Sequence, residues 1–384
     1  MNLTALSSSS LCASLFSQYP DIIRVAAFVA FFSFILIVIT LIVIFCNRVR
    51  KVRKKEAIAK AENIIFEELS EHLLTYDTVT DIPEEEMNET VCKLNKLKNQ
   101  DKVFRRTMVH LMVYFQMNMR GTVANIISSA YSRLKLREFT LGKLRSYFWF
   151  KKTQGLAEVQ GMRDGHSLPE VQNLIDDSNQ DVRVAAYNVL LKLKADNCFD
   201  FMVDEQGELS EWHQIMLEDA VVKTPGLEIP NFKIYLTTEC KGIILLCIKL
   251  IVHYRQYNAV PKMLSMLDHE QEDVRNQIIE ALGKLNSDSY EERLIERYPE
   301  ETIKNKSAIL IALGQSGSTL SGDFIMKKFL GAKNFDILEN AAAAIISHPG
   351  RLKDSLTANM SQLDEKHQAI LEHFEEPLNA YGSV

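Results

Sequence analysis

The chain has 384 residues and a formal net charge of −6, with hydrophobic residues at 47%, 15 Gly and 9 Pro. That composition excludes collagen-like and disordered classes and leaves room for one large domain or two ordinary ones. The acidic balance also argues against a general nucleic-acid binder.

In chain order, the first element is an uninterrupted apolar run, Val25 to Cys46, with no charged residue. As a helix it is about 33 Å long at ~1.5 Å per residue, enough to cross a hydrocarbon core of ~30 Å. The basic string Arg48, Arg50, Lys51, Arg53, Lys54 and Lys55 follows at once. Positive charge is retained on the cytoplasmic side, so residues 1–24 are expected to form a short extracytoplasmic N-terminus and everything from 47 onward to be cytosolic. A cleaved signal peptide has the opposite flanks, basic before and small after; here Met1 to Tyr19 has no basic side chain.

Charge is strongly segregated beyond the run. Residues 48–60 carry seven basic residues against Glu56, 62–101 carry eleven acids against three lysines, and 102–152 carry eleven basic residues against Glu138. The remainder, 153–384, nets −14. Residues 47–100 read as a juxtamembrane helix followed by an acidic linker. Arg48 to Thr75 lacks Pro and Gly, and Ile58, Ala61, Ile65, Leu69 and Leu73 lie near one face at helical spacing. Docking on the rest of the chain is favoured over a coiled coil, which needs more than two heptads. The turn around Asp77–Glu86 is expected to start the next helix at Asp81 or Pro83.

The basic block 102–152 interleaves cations with aromatics, and Arg133, Arg137, Arg145, Trp149, Lys151 and Lys152 are its candidate contact residues, with Arg120 also in the block. Three readings are open: a solvated positive face over buried aromatics, contact with anionic headgroups, and docking of an acidic protein partner.

Internal repetition is the second strong signal. Leu168-Pro169-Glu170-Val171 … Asp181-Val182-Arg183 aligns without a gap on Val260-Pro261-Lys262-Met263 … Asp273-Val274-Arg275, at an offset of 92. Each reads as a short helix opened by Pro, a polar turn, and a longer helix with Asp as its N-cap. The longer helix recurs at 304–314 and 336–345, and upstream at 239–248 and 150–159. The interval from 181 to 239 is 58 and holds either a degenerate extra unit or an insertion. Val171, Leu174 and Ile175 form one apolar face, and Val182, Ala185, Ala186, Val189, Leu190 and Leu193 another; one helical pair cannot bury both, so neighbours must stack. Gly283 and Gly314 are expected to permit close helix approach.

The D-V-R opening and the A-L-G-x-L close resemble the HEAT repeat, and the whole layout resembles bacterial single-pass membrane-anchored HEAT-repeat proteins. The resemblance implies an all-α fold, an N-terminal transmembrane helix (25–46) and a HEAT-like α-solenoid of stacked helical pairs over 101–350, clear from about 150, with a C-terminal helical tail at 351–384. It also implies a ladder of hydrogen bonds through Asp181, Arg183, Asp273 and Arg275, although Lys306 stands where another unit would carry Arg, and Glu239/Lys241 keep only the charge pattern. The location implied is a bacterial inner membrane, single-pass, with the C-terminal domain cytoplasmic.

Chemistry-bearing patterns do not emerge. The nine histidines form no HExxH and no zinc spacing with cysteine, and no phosphate-binding Gly-rich loop or nucleophile elbow occurs. Cys240 and Cys247, two helical turns apart, fit a buried face, and reduced thiols are expected throughout. Trp212-His213 is expected to pack. Some HEAT-like proteins are enzymes, but none of their catalytic residues can be matched here. The expected function is therefore a membrane-tethered cytosolic scaffold that binds a membrane-associated protein partner, beside glycosyltransferase or envelope-assembly machinery, with no cofactor, metal or nucleic acid. The alternative is an enzyme or small-molecule sensor using the solenoid groove.

Overall fold

The structure is a computed structural model that describes residues 20–76, 78–119, 121–205, 207–286, 290–349, 352 and 363–375. It is all-helical, with no strand among the described residues. The expectations for residues 1–19, for Arg120 and for most of 351–384 lie outside the described residues. The chain divides into two compact units, 1–139 and 140–384.

In the first unit, α1 (Asp21–His72) runs unbroken for 52 residues. From Phe28 to Arg48 every residue of it is exposed, and the hydroxyl of Thr40 is satisfied inside the helix by Leu36 O at 2.8 Å. It is long and apolar enough to cross a membrane. Its C-terminal half behaves differently: Ala61, Ile65, Leu69 and Leu73, four residues apart, have no exposed surface. They pack against α2 (Glu84–Gln100) and α3 (Lys102–Asn118), and α3 in turn packs on α4 (Thr122–Arg133). Met108, Met112, Phe115, Ile126 and Ile127 complete this core. Burying each such side chain contributes roughly 1.5–3 kcal/mol.

Within 47–100 the next helix starts at Glu84, directly after Pro83. Residues 84–100 are a helix in a bundle, entered through Pro83, and Met87 and Leu94 are buried in it. Residues 101–139 fall in the same compact unit as α1 and α2, and α3 packs on both.

Helix α5 (Leu136–Leu144) contains the division. In the second unit, long helices alternate with short ones: α6 (Trp149–Met162), α7 (Leu168–Gln172), α8 (Gln180–Lys192), α9 (Phe201–Asp204), α10 (Glu211–Lys223), α11 (Lys241–His253), α12 (Val260–Ser265), α13 (Glu272–Leu285), α14 (Glu291–Arg297), α15 (Ile303–Gly314), α16 (Thr319–Leu330), α17 (Phe335–Ser347) and α18 (Glu365–Glu375). The long helices pack in chain order, α6 on α8, α8 on α10, α10 on α11, and so through α13 and α15 to α17. They start at 149, 180, 211, 241, 272, 303 and 335, intervals of 30 to 32. Helix α10 occupies the 58-residue interval, which therefore holds an additional member of the row and not a bare insertion. The short helices α7, α12 and α14 and the 12-residue α16 lie against the long helix that follows each, and a 3₁₀ segment, Phe232–Thr237, takes that place before α11.

Two contacts set the spacing of the row near its C-terminal end. A Cβ on Gly283 would lie 2.8 Å from the Cα of Ala312, and one on Gly314 would lie 2.8 Å from the Cα of Ala344. Only Gly opposite Ala lets the backbones approach that closely. The core between the layers is continuous and includes Val182, Leu191, Ile248, Ile278, Leu313 and Ile345.

Candidate functional site

The repeated Asp-Val-Arg segment begins one residue inside its helix. The N-cap of α8 is Asn179, whose side chain accepts from Val182 N, and the residue at the N-cap position of α13 is Gln271. Asp181 and Asp273 are thus not caps, as the sequence suggested, but first-turn carboxylates. They still complement the positive end of the helix, and their oxygens are free to reach sideways along the row.

Asp181 accepts from His213 Nε2 on α10 at 3.1 Å. Asp273 accepts from Lys241 on α11 at 2.5 Å and from Lys304 on α15 at 3.4 Å. Those two lysines hold the Asp273 carboxyl below the ordinary aspartate range, Lys241 most strongly. Each Asp therefore stitches neighbouring long helices.

Arg183 and Arg275 do something else. Arg183 donates from Nε and Nη2 to Glu205 at 3.0 and 2.9 Å, and from Nη1 to Asp177 O at 2.9 Å. Arg275 repeats the pattern on Glu301 at 2.9 and 3.2 Å and on His269 O at 2.8 Å. The expected Asp–Arg ladder is split in two: the aspartates bridge long helices, and the arginines clamp a carboxylate from the following short element. Neither glutamate was legible as a partner, since Glu205 and Glu301 break the 92-residue register.

The side chains of Glu205 and Glu301 are 1% and 0% exposed. Burial alone would push both carboxyls up. The Arg183 fork, Gly207 N–H and Tyr187 outweigh it at Glu205, and Arg275, Asn305 and Arg297 outweigh it at Glu301, so both sit below the usual glutamate range. These are structural clamps with no free acid or base to offer a substrate.

The candidate basic face is also largely committed. Arg133 pairs with Glu84 at 2.8 Å in the first unit, and Arg137 lies half-buried in α5. In the second unit Arg145 pairs with Glu170 at 2.9 Å, Lys152 pairs with Asp177, and Lys151 stacks over Phe148 at 4.8 Å. Arg133 and Arg137 thus belong to one unit and Arg145, Trp149, Lys151 and Lys152 to the other. The aromatics of the block are not uniformly buried. Tyr131 is, but Tyr147 is 95% exposed and Phe148, Trp149 and Phe150 are about half exposed. By contrast, Arg48, Arg50, Lys51, Arg53, Lys54 and Lys55 are all exposed on α1, with no ion pair among the described residues.

Two grooves of about 280 Å³ open on the same face of the long helices. One is lined by Thr153, Val184, Asn188, Trp212, His213 and Met216, the other by Asn276, Glu280, Lys304, Ser307 and Ile311. His213 is buried, but Trp212 is 67% exposed and does not pack as expected. Ile215 and Ile311, at 46% and 41%, share this face. A wider cleft of about 790 Å³ lies between α8 and the 196–207 segment, lined by Asp176, Asp196, Asp200 and Asp204 besides the Arg183–Glu205 clamp. No group of three metal-ligating side chains occurs among the described residues. Cys198, Cys240 and Cys247 are free and buried, and Cys46 and Cys92 are free and exposed.

No protein-family model matches the chain, and no curated protein matches it. Among solved structures, a crystal structure of an engineered protein is similar over 73% of this chain and 86% of that one, at 11% identity and a TM-score of 0.33.

Proposed function

We propose that the chain is a single-pass, membrane-tethered scaffold whose second unit is a HEAT-like solenoid presenting the face of its long helices to a protein partner in the cytoplasm. The observation that carries the tether is the full exposure of α1 from Phe28 to Arg48. An apolar surface of that length has no cover among the described residues, whereas a bilayer covers it and α1 satisfies its own backbone. Its unpaired basic collar sets the orientation. The scaffold reading is supported by the row itself: seven long helices at a near-constant interval, with grooves and exposed Trp212, Ile215 and Ile311 along one face. Tethering raises the effective concentration of a membrane-bound partner with no added contact.

The test is site-specific photo-crosslinking in native membranes from positions 215 and 311, with identification of the captured protein. Enrichment of one membrane-associated protein from both positions is expected; capture no different from that of a crosslinker placed in the first unit would sink the reading. The cleft lined by Asp176, Asp196, Asp200 and Asp204 supports a second reading, a sensor of a cationic small molecule. A saturable thermal shift with such a compound, abolished by Asp200→Asn, is the result that would favour it.

A further inference from the structure

Both tryptophans of the chain are exposed, and one of them stands in a run of four consecutive exposed aromatics, Tyr147-Phe148-Trp149-Phe150. Many other aromatics of the second unit are in the core, among them Tyr187, Phe199, Phe201, Phe232, Tyr290 and Phe329, whereas Tyr257 and Phe335 stand half exposed singly. The run forms the entry to α6. Its rings touch one another, Tyr147 on Phe148 at 5.9 Å, Phe148 on Phe150 at 5.6 Å and Trp149 on Phe150 at 6.3 Å, and Lys151 lies over Phe148. The helix starts at Trp149 without a side-chain cap. A contiguous apolar projection of this kind marks a contact surface.

We infer that this aromatic knuckle is a bilayer contact, seated in the headgroup layer of the membrane that α1 crosses. Trp and Tyr rings prefer that layer because one edge is apolar and the other bonds to water or headgroups. Phosphate oxygens there can accept from Lys151. The bilayer is chosen as occupant because the same chain carries a helix fit to span one. The cations nearby are mostly spent, Arg145 on Glu170 and Lys152 on Asp177. The contact is therefore led by aromatic insertion, and anionic lipid adds little. This differs from the electrostatic lipid contact that the charge count of 102–152 suggests. Trp212, one long helix away along the row from α8 and flanked by Glu211, stays in water.

The inference rests on the membrane reading of α1, and the experiment separates the two. The full chain carrying Trp212→Phe is assembled into nanodiscs of phosphatidylcholine, with and without bromine on the acyl chains, and Trp149 emission is read; the Trp149→Phe chain reports Trp212 in the same discs. Bromine-dependent loss of Trp149 emission with a blue shift, no loss for Trp212, and little change on adding phosphatidylglycerol are expected. Replacing Phe148 and Phe150 by Ser, both exposed and outside the core, is expected to weaken the quenching. If the chain does not co-elute with the discs, the membrane reading of α1 falls and this inference with it. If it co-elutes but Trp149 answers to aqueous iodide and not to bromine, the knuckle stands in water and the inference alone falls. Equal quenching of Trp212 also overturns it, because adsorption would then be unspecific.

Discussion

Arg275 holds Glu301 by two edges of its guanidinium, Nε to Oε1 at 2.9 Å and Nη2 to Oε2 at 3.2 Å, with the glutamate side chain entirely out of solvent. The pair joins the start of α13 to the turn before α15, so one ionic clamp fixes the long helix of one unit to the next. Breaking it from the arginine side leaves the buried Glu301 with only Arg297 and Asn305 as partners. Arg275→Ala is accordingly expected to cost about 1.5–3 kcal/mol in urea unfolding, the worth of hydrogen bonds to a charged group. The double variant Arg275→Met/Glu301→Leu should recover most of that loss, because both charges leave together. A double variant no more stable than Arg275→Ala would show that the clamp acts through packing and not through charge.

The same clamps set the acid response. Glu205 and Glu301 titrate below the unfolded glutamate value of ~4.3. A depressed folded value contributes stability that is present above the unfolded value and lost as pH falls through the folded one. The thermal midpoint of the full chain is expected to drop as pH falls below about 4. A chain carrying Glu205→Gln and Glu301→Gln should be less stable at neutral pH and show a flatter acid limb. Parallel limbs in the two proteins would contradict the assignment.

The periodic part of this fold is readable from residues alone, since Pro169 and Pro261 open short helices and the spacing of Val182, Ala186, Val189 and Leu190 defines a buried face. What is not readable depends on contacts without a period. Asp181 looks like a cap by type, yet Asn179 two positions earlier takes that role and releases the carboxylate to His213. Helix α10 carries no Asp-Val-Arg signature, so its place in the row emerges only from packing against α8 and α11. The charge count of 102–152 suggests a basic face, but Glu84, Glu170 and Asp177 come from elsewhere in the sequence and neutralise Arg133, Arg145 and Lys152. Exposure of the aromatic run could not be inferred, because aromatics interleaved with cations read equally well as a core beneath a solvated positive face.

Close packing of the row makes a sharp contrast between two glycines. At Gly283 an added methyl would meet the Cα and Cβ of Ala312 at 2.8 Å, backbone that cannot swing aside. Overpacking of this kind costs typically ~1–3 kcal/mol. Gly142 lies in helix α5 with nothing within 4 Å of a new Cβ. There Ala removes only backbone freedom and should stabilise by roughly 0.4–1 kcal/mol. Thermal melts of Gly283→Ala and Gly142→Ala should therefore move in opposite directions, and a neutral Gly283→Ala would mean that the helices are less closely apposed.

The aspartate bridges are weaker. Asp273 is more than half exposed beside Lys241 and Lys304, so solvent screens both contacts and each exposed pair is worth roughly 0.2–1 kcal/mol. Asp273→Asn should destabilise slightly at low salt, and the difference should vanish near 1 M salt, where the Debye length is about 3 Å. A salt-independent loss would indicate that Asp273 acts on the helix end and not on its two lysines.

Orientation can be read from the thiols. Cys92 is exposed on α2, while Cys198, Cys240 and Cys247 are buried. Six cations follow the apolar run within nine residues of Cys46, against Arg24 before it. The retention of positive charge on the cytoplasmic side counts residues within about 15–20 of the span, so this imbalance should fix the second unit inside. With Cys12 and Cys46 replaced by Ser, a membrane-impermeant maleimide should leave the chain unlabelled in intact cells and label Cys92 once the membrane is opened. A chain keeping Cys12 but carrying Cys46→Ser and Cys92→Ser should be labelled in intact cells. Neutralising Arg48, Arg50, Lys51, Arg53, Lys54 and Lys55 to Gln leaves Arg24 as the nearest cation before the run and Lys60 the nearest after it. A mixture of orientations, with part of Cys92 labelled from outside, is then expected. Labelling of Cys92 in intact cells with the collar still in place would reverse the topology and remove the cytoplasmic scaffold with it.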